Sequence, residues 1–309
     1  MALLPLLRRF VLAGAATAGL IAADAAAADR PKDTIVVGVV SGDARKTMPR
    51  LEAMANYLAA HLADLEIRQG RAVVAATNEE MIALLRRGDV DVLSETPFAA
   101  VHFAAQAGAE ILLREWKRGA PEYRSVLIAK RGSGIRTLAD LRGRVLAVED
   151  PGSTTGFLWP LAMLQKEGLN AIEVAVHQRP PADAVGYAFA IQEINIAGWV
   201  ALGHADAGAL SDRDWEDFRR TPEGLKSDLE VFYAGEILPR SAVLLRSGLD
   251  ARLKQRIRET LMAMSDDPTA ESTLKTYYKV SRFDDIDAAA AAGLRKVEEL
   301  YPLVADRIR

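Results

Sequence analysis

The sequence predicts an α/β protein made of two layered units, the second inserted into the first. Apolar strand-like runs alternate with segments of helical period, the pattern of strands layered with helices and of mostly parallel sheets. The same order of elements restarts after Pro121. Further strand-like runs at 230–234 and 241–245 follow the second unit, as though the chain returns to the first near residue 230. Two independent domains in tandem would show the same periodicity, because crossovers leave no trace in it. The expected organisation is residues 1–28 as a leader, 29–120 with 231–309 as lobe 1, and 121–230 as lobe 2.

The leader comes first in the chain. Arg8 and Arg9 supply a positive start, the run 10–23 is apolar and short, and Ala25, Ala26, Ala27 and Ala28 offer small residues before Asp29. That is the pattern of a secretory signal peptide, and the apolar run is short for a membrane span. The arginine pair fits twin-arginine or Sec export, and Sec export needs nothing beyond two basic residues.

Within the first unit, 34–40 reads as a buried strand and 40–49 as a loop carrying Ser41, Gly42, Asp43 and Arg45. Leu51, Met54, Ala55, Leu58, Leu62 and Leu65 then form one apolar helical stripe. A strand at 73–75 precedes a helix opened by a capping box of Thr77 and Glu80 and closed by Gly88. The run 89–93 is the next strand and ends in Ser94-Glu95-Thr96-Pro97-Phe98, from which a helix continues to about Ala107.

In the second unit, 125–129 and 144–148 read as strands, with a short capped helix at 137–141 between them. The turn 150–156 opens a helix ending near Gly168. A strand at 172–176 is followed by the Pro180-Pro181 break and then helical material through Val200. The run 205–210 reads as a strand and Ser211 as the cap of another helix. Leu253, Ile257, Leu261 and Met264 give the final amphipathic helix.

Composition narrows the function. Cysteine is absent from all 309 residues, which removes disulfides, thiolate metal sites, cysteine nucleophiles and a lipid-modified cysteine. The formal net charge is −3, and removal of the leader, which carries two arginines and one aspartate, leaves −4. With no cluster of lysine and arginine, a mildly acidic chain is not expected to seek nucleic acid or an anionic membrane. Enzyme signatures are missing: no Gly-x-Ser-x-Gly, no His-Glu-x-x-His and no Gly-x4-Gly-Lys-Ser/Thr. His61, His102, His177 and His204 stand singly, without the spacing of a metal site. No catalyst, metal or cofactor is expected.

The most informative stretch is Ser153-Thr154-Thr155-Gly156, between a strand and a helix. Three successive hydroxyl residues beside the free N–H groups and positive dipole end of a helix suit a tetrahedral oxyanion. The plainer reading is a helix N-cap, which accounts for one hydroxyl. Glu95 beside Thr96 can accept from a protonated ligand oxygen, or it is a solvated loop carboxylate. Arg45 and Lys46 read as surface residues rather than ligand contacts, and Trp116, Trp159, Trp199 and Trp215 as packing.

Tyr123-Arg124-Ser125-Val126-Leu127-Ile128, Ser133-Gly134-Ile135-Arg136-Thr137-Leu138, and Asp150-Pro151-Gly152-Ser153-Thr154-Thr155-Gly156-Phe157 resemble the phosphonate/phosphite/phosphate-binding proteins of ABC importers. The likeness continues through Val185-Gly186-Tyr187-Ala188-Phe189, Asn195 and Ala205-Asp206-Ala207, ending near Ile237-Leu238-Pro239-Arg240. It implies a type II periplasmic binding protein fold, two α/β lobes with a ligand cleft between them. It implies that Ser153, Thr154, Thr155 and Gly156 hold the oxyanion and that Glu95, Thr96, Pro97 and Phe98 close over it. Tyr123, Asn195 and Asp206 are further carry-overs. The chain departs from the family at Gln178-Arg179-Pro180-Pro181 and Gln192-Glu193-Ile194, where many members read the ligand's other end, and it has Thr96 and Pro97 where many carry aromatic residues.

The resemblance further implies a soluble periplasmic monomer that hinges near 119–124 and 229–233, with an ABC permease and ATPase as partners. A periplasmic sensor docking on a kinase ectodomain and a sulfonate-binding protein are the alternatives.

Overall fold

The computed structural model describes residues 31–308, which form one compact unit. The leader expected at 1–28 lies outside the described residues. Two six-stranded sheets form the scaffold, and a two-stranded ribbon lies between them.

The first sheet begins with β1 (Thr34–Val40), whose seven residues are nearly all buried, as a strand covered on both faces must be. Helix α1 (Ala44–His61) starts earlier than the loop expected through 49, because Asp43 caps it by accepting the Lys46 N–H at 3.1 Å and Pro49 falls in its first turns. Then come β2 (Gln69–Ala75), α2 (Asn78–Arg87), β3 (Val92–Glu95) and α3 (Pro97–Ala107). The box expected at the start of α2 forms in part: Thr77 accepts the Glu80 N–H, but the Glu80 carboxylate reaches one residue further back, to the Ala76 N–H instead of that of Thr77. Gly88 closes the helix in the left-handed conformation.

Strand β4 (Glu110–Lys117) follows, and sequence periodicity does not announce it. Its charged residues Arg114 and Glu115 are buried, so it carries no apolar alternation. Two residues, β5 (Glu122–Tyr123), then cross toward the second sheet.

The second sheet holds β6 (Ser125–Lys130), β7 (Val145–Val148), β8 (Asn170–Glu173), β9 (Ala184–Phe189), β10 (Ala207–Ser211) and β11 (Leu229–Ala234). The chain between β7 and β8 forms a π-helical turn, Thr154–Leu158, and α4 (Trp159–Lys166). Strand β9 corrects the helical reading of this region. It pairs in parallel with both β7 and β8, and helix α5 (Glu193–Leu202) starts only after it. Helices α6 (Asp212–Glu216) and α7 (Glu223–Lys226) precede β11.

The return crossing is β12 (Leu238–Pro239), which pairs antiparallel with β5. Strand β11 therefore belongs to the second sheet, and the return falls at 235–241 instead of near 229–233. After it, β13 (Ala242–Leu245) inserts between β3 and β4, antiparallel to both. Helix α8 (Ala251–Ala263) is not the last element: α9 (Glu271–Thr276), β14 (Val280–Asp284) and α10 (Ala288–Leu300) come after it. Val297, Leu300, Val304 and Ile308 share an apolar cluster with Phe98 and Val101 of α3 and with second-lobe residues such as Leu158 and Trp159. The C-terminal segment thus packs against both lobes rather than on lobe 1 alone. Each sheet is mixed, because strands that follow a crossing enter antiparallel to the parallel core.

Candidate functional site

A cleft of about 580 Å³ lies between the lobes. Its walls are the loops that follow β1, β2 and β3 on one side and β7 and β10 on the other. Ligands of open α/β sheets sit in this place, beyond the carboxyl ends of the strands, where helix N-termini converge.

On the second-lobe wall Ser153 is a true N-cap. Its hydroxyl oxygen accepts the Gly156 N–H at 3.0 Å and its proton goes to Glu149 Oε2 at 2.6 Å. The plainer reading of the hydroxyl turn therefore accounts for Ser153. Thr154 Oγ1 accepts the Phe98 N–H at 3.2 Å, a hydrogen bond that joins the second lobe to the start of α3 in the first. Thr155 lines the cleft, and its carbonyl accepts the Ser125 hydroxyl at 2.6 Å. Gly156 lies behind the turn. A Cβ there would come within 2.7 Å of Glu149 Cβ and 2.9 Å of Ser153 Oγ, so the glycine serves the packing of this network.

The first-lobe wall is the N-terminus of α3. Pro97 occupies the first helical turn and is buried under the cleft lining, where its missing N–H costs nothing. Thr96 occupies the N-cap position but makes no capping bond, and its Oγ1 is buried without a hydrogen-bond partner among the described residues. Glu95 Oε1 accepts the Val40 N–H at 3.3 Å. Burial pushes the Glu95 carboxyl up to about 7, with Lys117 pulling the other way.

The ribbon between the lobes contributes Tyr123 and Arg240, whose backbone N–H is held by the Pro121 carbonyl at 2.8 Å. The Arg240 guanidinium carbon stands 4.6 Å from the Tyr123 ring centre. The Tyr123 hydroxyl is buried and unpartnered among the described residues; Thr154 and Arg240 are its polar neighbours, yet neither reaches hydrogen-bond geometry. Burial pushes this phenol up to about 12, so it remains a donor at physiological pH. Lys117 adds a second cation to the lining, its ammonium drawn below the usual lysine range by burial and supported by Glu115 and Glu95.

Acidic residues meet on the second-lobe side: Glu149, Asp150, Glu193 and Asp214. Burial drives the Glu149 carboxyl up to about 8, the Ser153 hydrogen bond opposes this, and Glu193, Asp150 and Asp214 reinforce it. At neutral pH Glu149 therefore carries its proton and can present a donor.

The structure thus brings Glu95, Thr96, Tyr123, Ser153, Thr154 and Thr155 to one cavity. Four of the expected residues are not in its lining: Pro97 and Gly156, which adjoin lining residues, and Asn195 and Asp206. Asn195 is exposed on α5 and donates to the Ala190 carbonyl at 2.9 Å. Asp206 precedes β10 on the side away from the cleft lining, where it accepts the Val145 N–H at 2.8 Å and pairs with Arg179. Arg45 and Lys46 are exposed, Lys46 pairing with Asp43 at 3.0 Å. The residues that sequence reasoning missed are Lys117, Arg240 and Glu149. Lys117 ends a strand without apolar alternation, while Arg240 and Glu149 flank quoted motifs yet gain meaning only when the ribbon and turn meet. Among the described residues no group of three or more metal-binding side chains occurs, and no helix is long and apolar enough to cross a membrane.

Residues 37–291 match the family model described as the periplasmic substrate-binding protein of phosphonate ABC transporters. The chain belongs to that family. Members of this family are periplasmic substrate-binding proteins of ABC transporters. Among relatives, the phosphate-import protein PhnD of Mycolicibacterium smegmatis is 35% identical over 147 residues, covering 45% of this chain and 42% of that protein. The chain thus spans about two fifths of the length of that curated relative. XAC2383 from Xanthomonas citri, solved with chloride and with ATP, aligns with TM-scores of 0.81 and 0.80 at 29% and 28% identity. Each alignment covers 89% of this chain and 99% or more of that one. PhnD1 from Prochlorococcus marinus, solved with methylphosphonate, aligns over 88% of this chain and 98% of its own with a TM-score of 0.59 at 15% identity, a likeness of fold. The chain has the two-lobed type II fold of periplasmic binding proteins.

Proposed function

We propose that this member of the phosphonate-binding family holds a phosphorus oxyanion, a phosphonate, phosphite or phosphate, in the interlobe cleft and delivers it to an ABC permease. One observation carries the reading. Two buried hydroxyls without partners, Thr96 Oγ1 and Tyr123 OH, line the same cavity as Lys117, Arg240 and the N-terminus of α3. A buried unpaired hydroxyl costs about 1–3 kcal/mol, and an anion seated between them would satisfy both. The phosphate-import relative supports the choice of phosphorus over sulfur.

The residues in this role are Thr96, Tyr123, Thr154, Thr155, Lys117 and Arg240, with Glu95 and Glu149 reading the ligand's protonation. Sulfate and sulfonates keep no acidic proton at neutral pH, so an ionised Glu95 has nothing to accept from them, whereas a phosphonate monoanion offers its P–OH. Closure turns on the β5–β12 ribbon, and the Phe98 to Thr154 hydrogen bond latches the lobes. The protein acts as a monomer, exported by its leader without a lipid anchor, and its two lobes, one built on each six-stranded sheet, move as bodies about the crossing segments.

Isothermal titration of the purified protein with phosphate, phosphite, methylphosphonate, aminoethylphosphonate and sulfate tests the assignment. One phosphorus anion should bind, and Thr155→Ala should weaken it at least tenfold. A folded protein that gives no heat with any phosphorus anion, or that prefers sulfate, overturns the proposal.

A further inference from the structure

A second concavity, about 740 Å³, opens beside the first, and Lys117 lines both. Its walls are strongly basic. The first lobe supplies Arg50 from α1, Lys117 and Arg118 from the end of β4, and Lys275 and Lys279 from around α9; the second lobe supplies Arg219 and Arg220. Two of these cations are neutralised, Arg219 by Asp217 at 2.8 Å and Arg220 by Glu193. Arg50, Lys117, Arg118, Lys275 and Lys279 form no ion pair among the described residues, although the chain as a whole is net acidic. Four of these, Arg50, Arg118, Lys275 and Lys279, stand without a carboxylate partner while Lys117 faces Glu115 and Glu95, and cations gathered around one concavity repel one another and favour a polyanion.

The backbone holds this arrangement at a cost. Arg118, Tyr278 and Lys279 all adopt left-handed conformations, with φ of 55°, 53° and 56°. None is glycine, and each such residue stores on the order of 1 kcal/mol or more. The Arg118 N–H donates to the Lys279 carbonyl at 3.0 Å, so the strained segments brace each other. Between them the Tyr278 ring takes the Lys117 ammonium at 4.4 Å and the Arg50 guanidinium at 5.1 Å, which fixes two long cationic side chains on an aromatic platform.

We propose that this basic groove is a second anion subsite, which accepts the outer phosphates of a condensed phosphate chain whose terminal group sits in the cleft. The inference rests on the cleft being an oxyanion site, and Lys117 is the residue that joins the two. A single phosphate or methylphosphonate occupies the cleft alone. A linear triphosphate, free or carried on a nucleoside, continues past Lys117 into the groove and meets Arg118, Lys275 and Lys279.

The test is titration of the purified protein, free of divalent cations, with methylphosphonate, orthophosphate, tripolyphosphate and ATP. Tripolyphosphate should bind at least tenfold more tightly than orthophosphate. In Lys275→Gln/Lys279→Gln, two exposed positions, that advantage should fall at least fivefold while methylphosphonate affinity stays unchanged. Arg50→Gln, beside the Tyr278 ring, should act in the same direction. An ATP affinity matching that of tripolyphosphate assigns the groove to nucleoside triphosphates as well, and a tripolyphosphate advantage not shared by ATP restricts it to free condensed phosphate. No gain for tripolyphosphate, or a gain that survives both variants, overturns the groove while methylphosphonate binding still upholds the cleft. Tripolyphosphate binding without either small anion sinks the cleft reading, and with it the seating of the terminal phosphate in the cleft.

Discussion

Tyr123→Phe separates a ligand-binding hydroxyl from a structural one. The Tyr123 side chain is almost wholly buried, its ring packs beneath Arg240 at 4.6 Å, and its hydroxyl has no hydrogen-bond partner among the described residues. Phenylalanine keeps the ring and its cation contact and removes only the unsatisfied group. Deleting a buried unpaired hydroxyl relieves its desolvation penalty, so the ligand-free protein should be unchanged or more stable by about 1 kcal/mol. For a chain of this size that is a rise of roughly 2–4 °C in Tm. The same change deletes a donor to a charged oxygen, a bond of about 1.5–3 kcal/mol, and should weaken anion binding by roughly 10- to 150-fold. Thermal melts without ligand and calorimetric titration with the preferred anion read the two effects separately. A variant that is clearly less stable without ligand would show that the hydroxyl has a structural partner, and unchanged affinity would remove Tyr123 from the site. Either result refutes the reasoning.

Three further outcomes are expected. Gly156→Ala forces a Cβ to within 2.7 Å of Glu149 Cβ and should cost about 1–3 kcal/mol while loosening the Ser153 cap, seen as a lower Tm and weaker anion binding together. An unchanged melt would show that the turn relaxes freely. Stability should also depend on pH in a stated direction. The Glu95 and Glu149 carboxyls are raised to about 7 and about 8, so between the ordinary carboxylate range and those values the folded state holds protons that the unfolded state has released. Their contribution is fully present in acid and is lost as pH rises through that window, so the urea midpoint should fall from pH 5 to 8, and Glu149→Gln should flatten the upper part of the decline. A midpoint that rises across this range in both proteins contradicts the assignment. Finally, Arg114 is nearly buried between Asp284 at 2.8 Å, Asp287 at 3.0 Å and Glu122 at 3.1 Å. Arg114→Met should cost about 3 kcal/mol, because it strands carboxylates from β14, the α10 N-cap and the ribbon, and denaturant unfolding would measure it.

Much of the architecture was legible because local chemistry and tertiary environment agree. The strand at Thr34–Val40, the Thr77 cap, the left-handed stop at Gly88 and the Ser211 cap each follow from interactions within a few residues. The hydroxyl turn was legible for the same reason, since a strand followed by Ser153-Thr154-Thr155-Gly156 specifies a helix N-terminus whatever surrounds it. Strand β4 was not legible, because its buried charges depend on residues of other elements: Arg114 pairs with Asp284 of β14, and Glu115 accepts the Ser94 hydroxyl of β3, which in turn meets Ser241. Strand β9 was hidden by its own apolar continuity: Val185, Tyr187 and Ala188 are buried on both faces, and such a run shows no period of two.

By itself, then, the sequence determined the layered α/β class, the absence of thiol chemistry and the helix-opening turn at Ser153, all consequences of composition and short-range geometry. Only the tertiary structure decided which residues meet. It placed Asn195 and Asp206 away from the cleft lining, brought in Lys117, Arg240 and Glu149, and set the basic groove beside them. Those choices depend on where the chain crosses between sheets and on which carboxyls lose water. Neither property belongs to any segment taken alone.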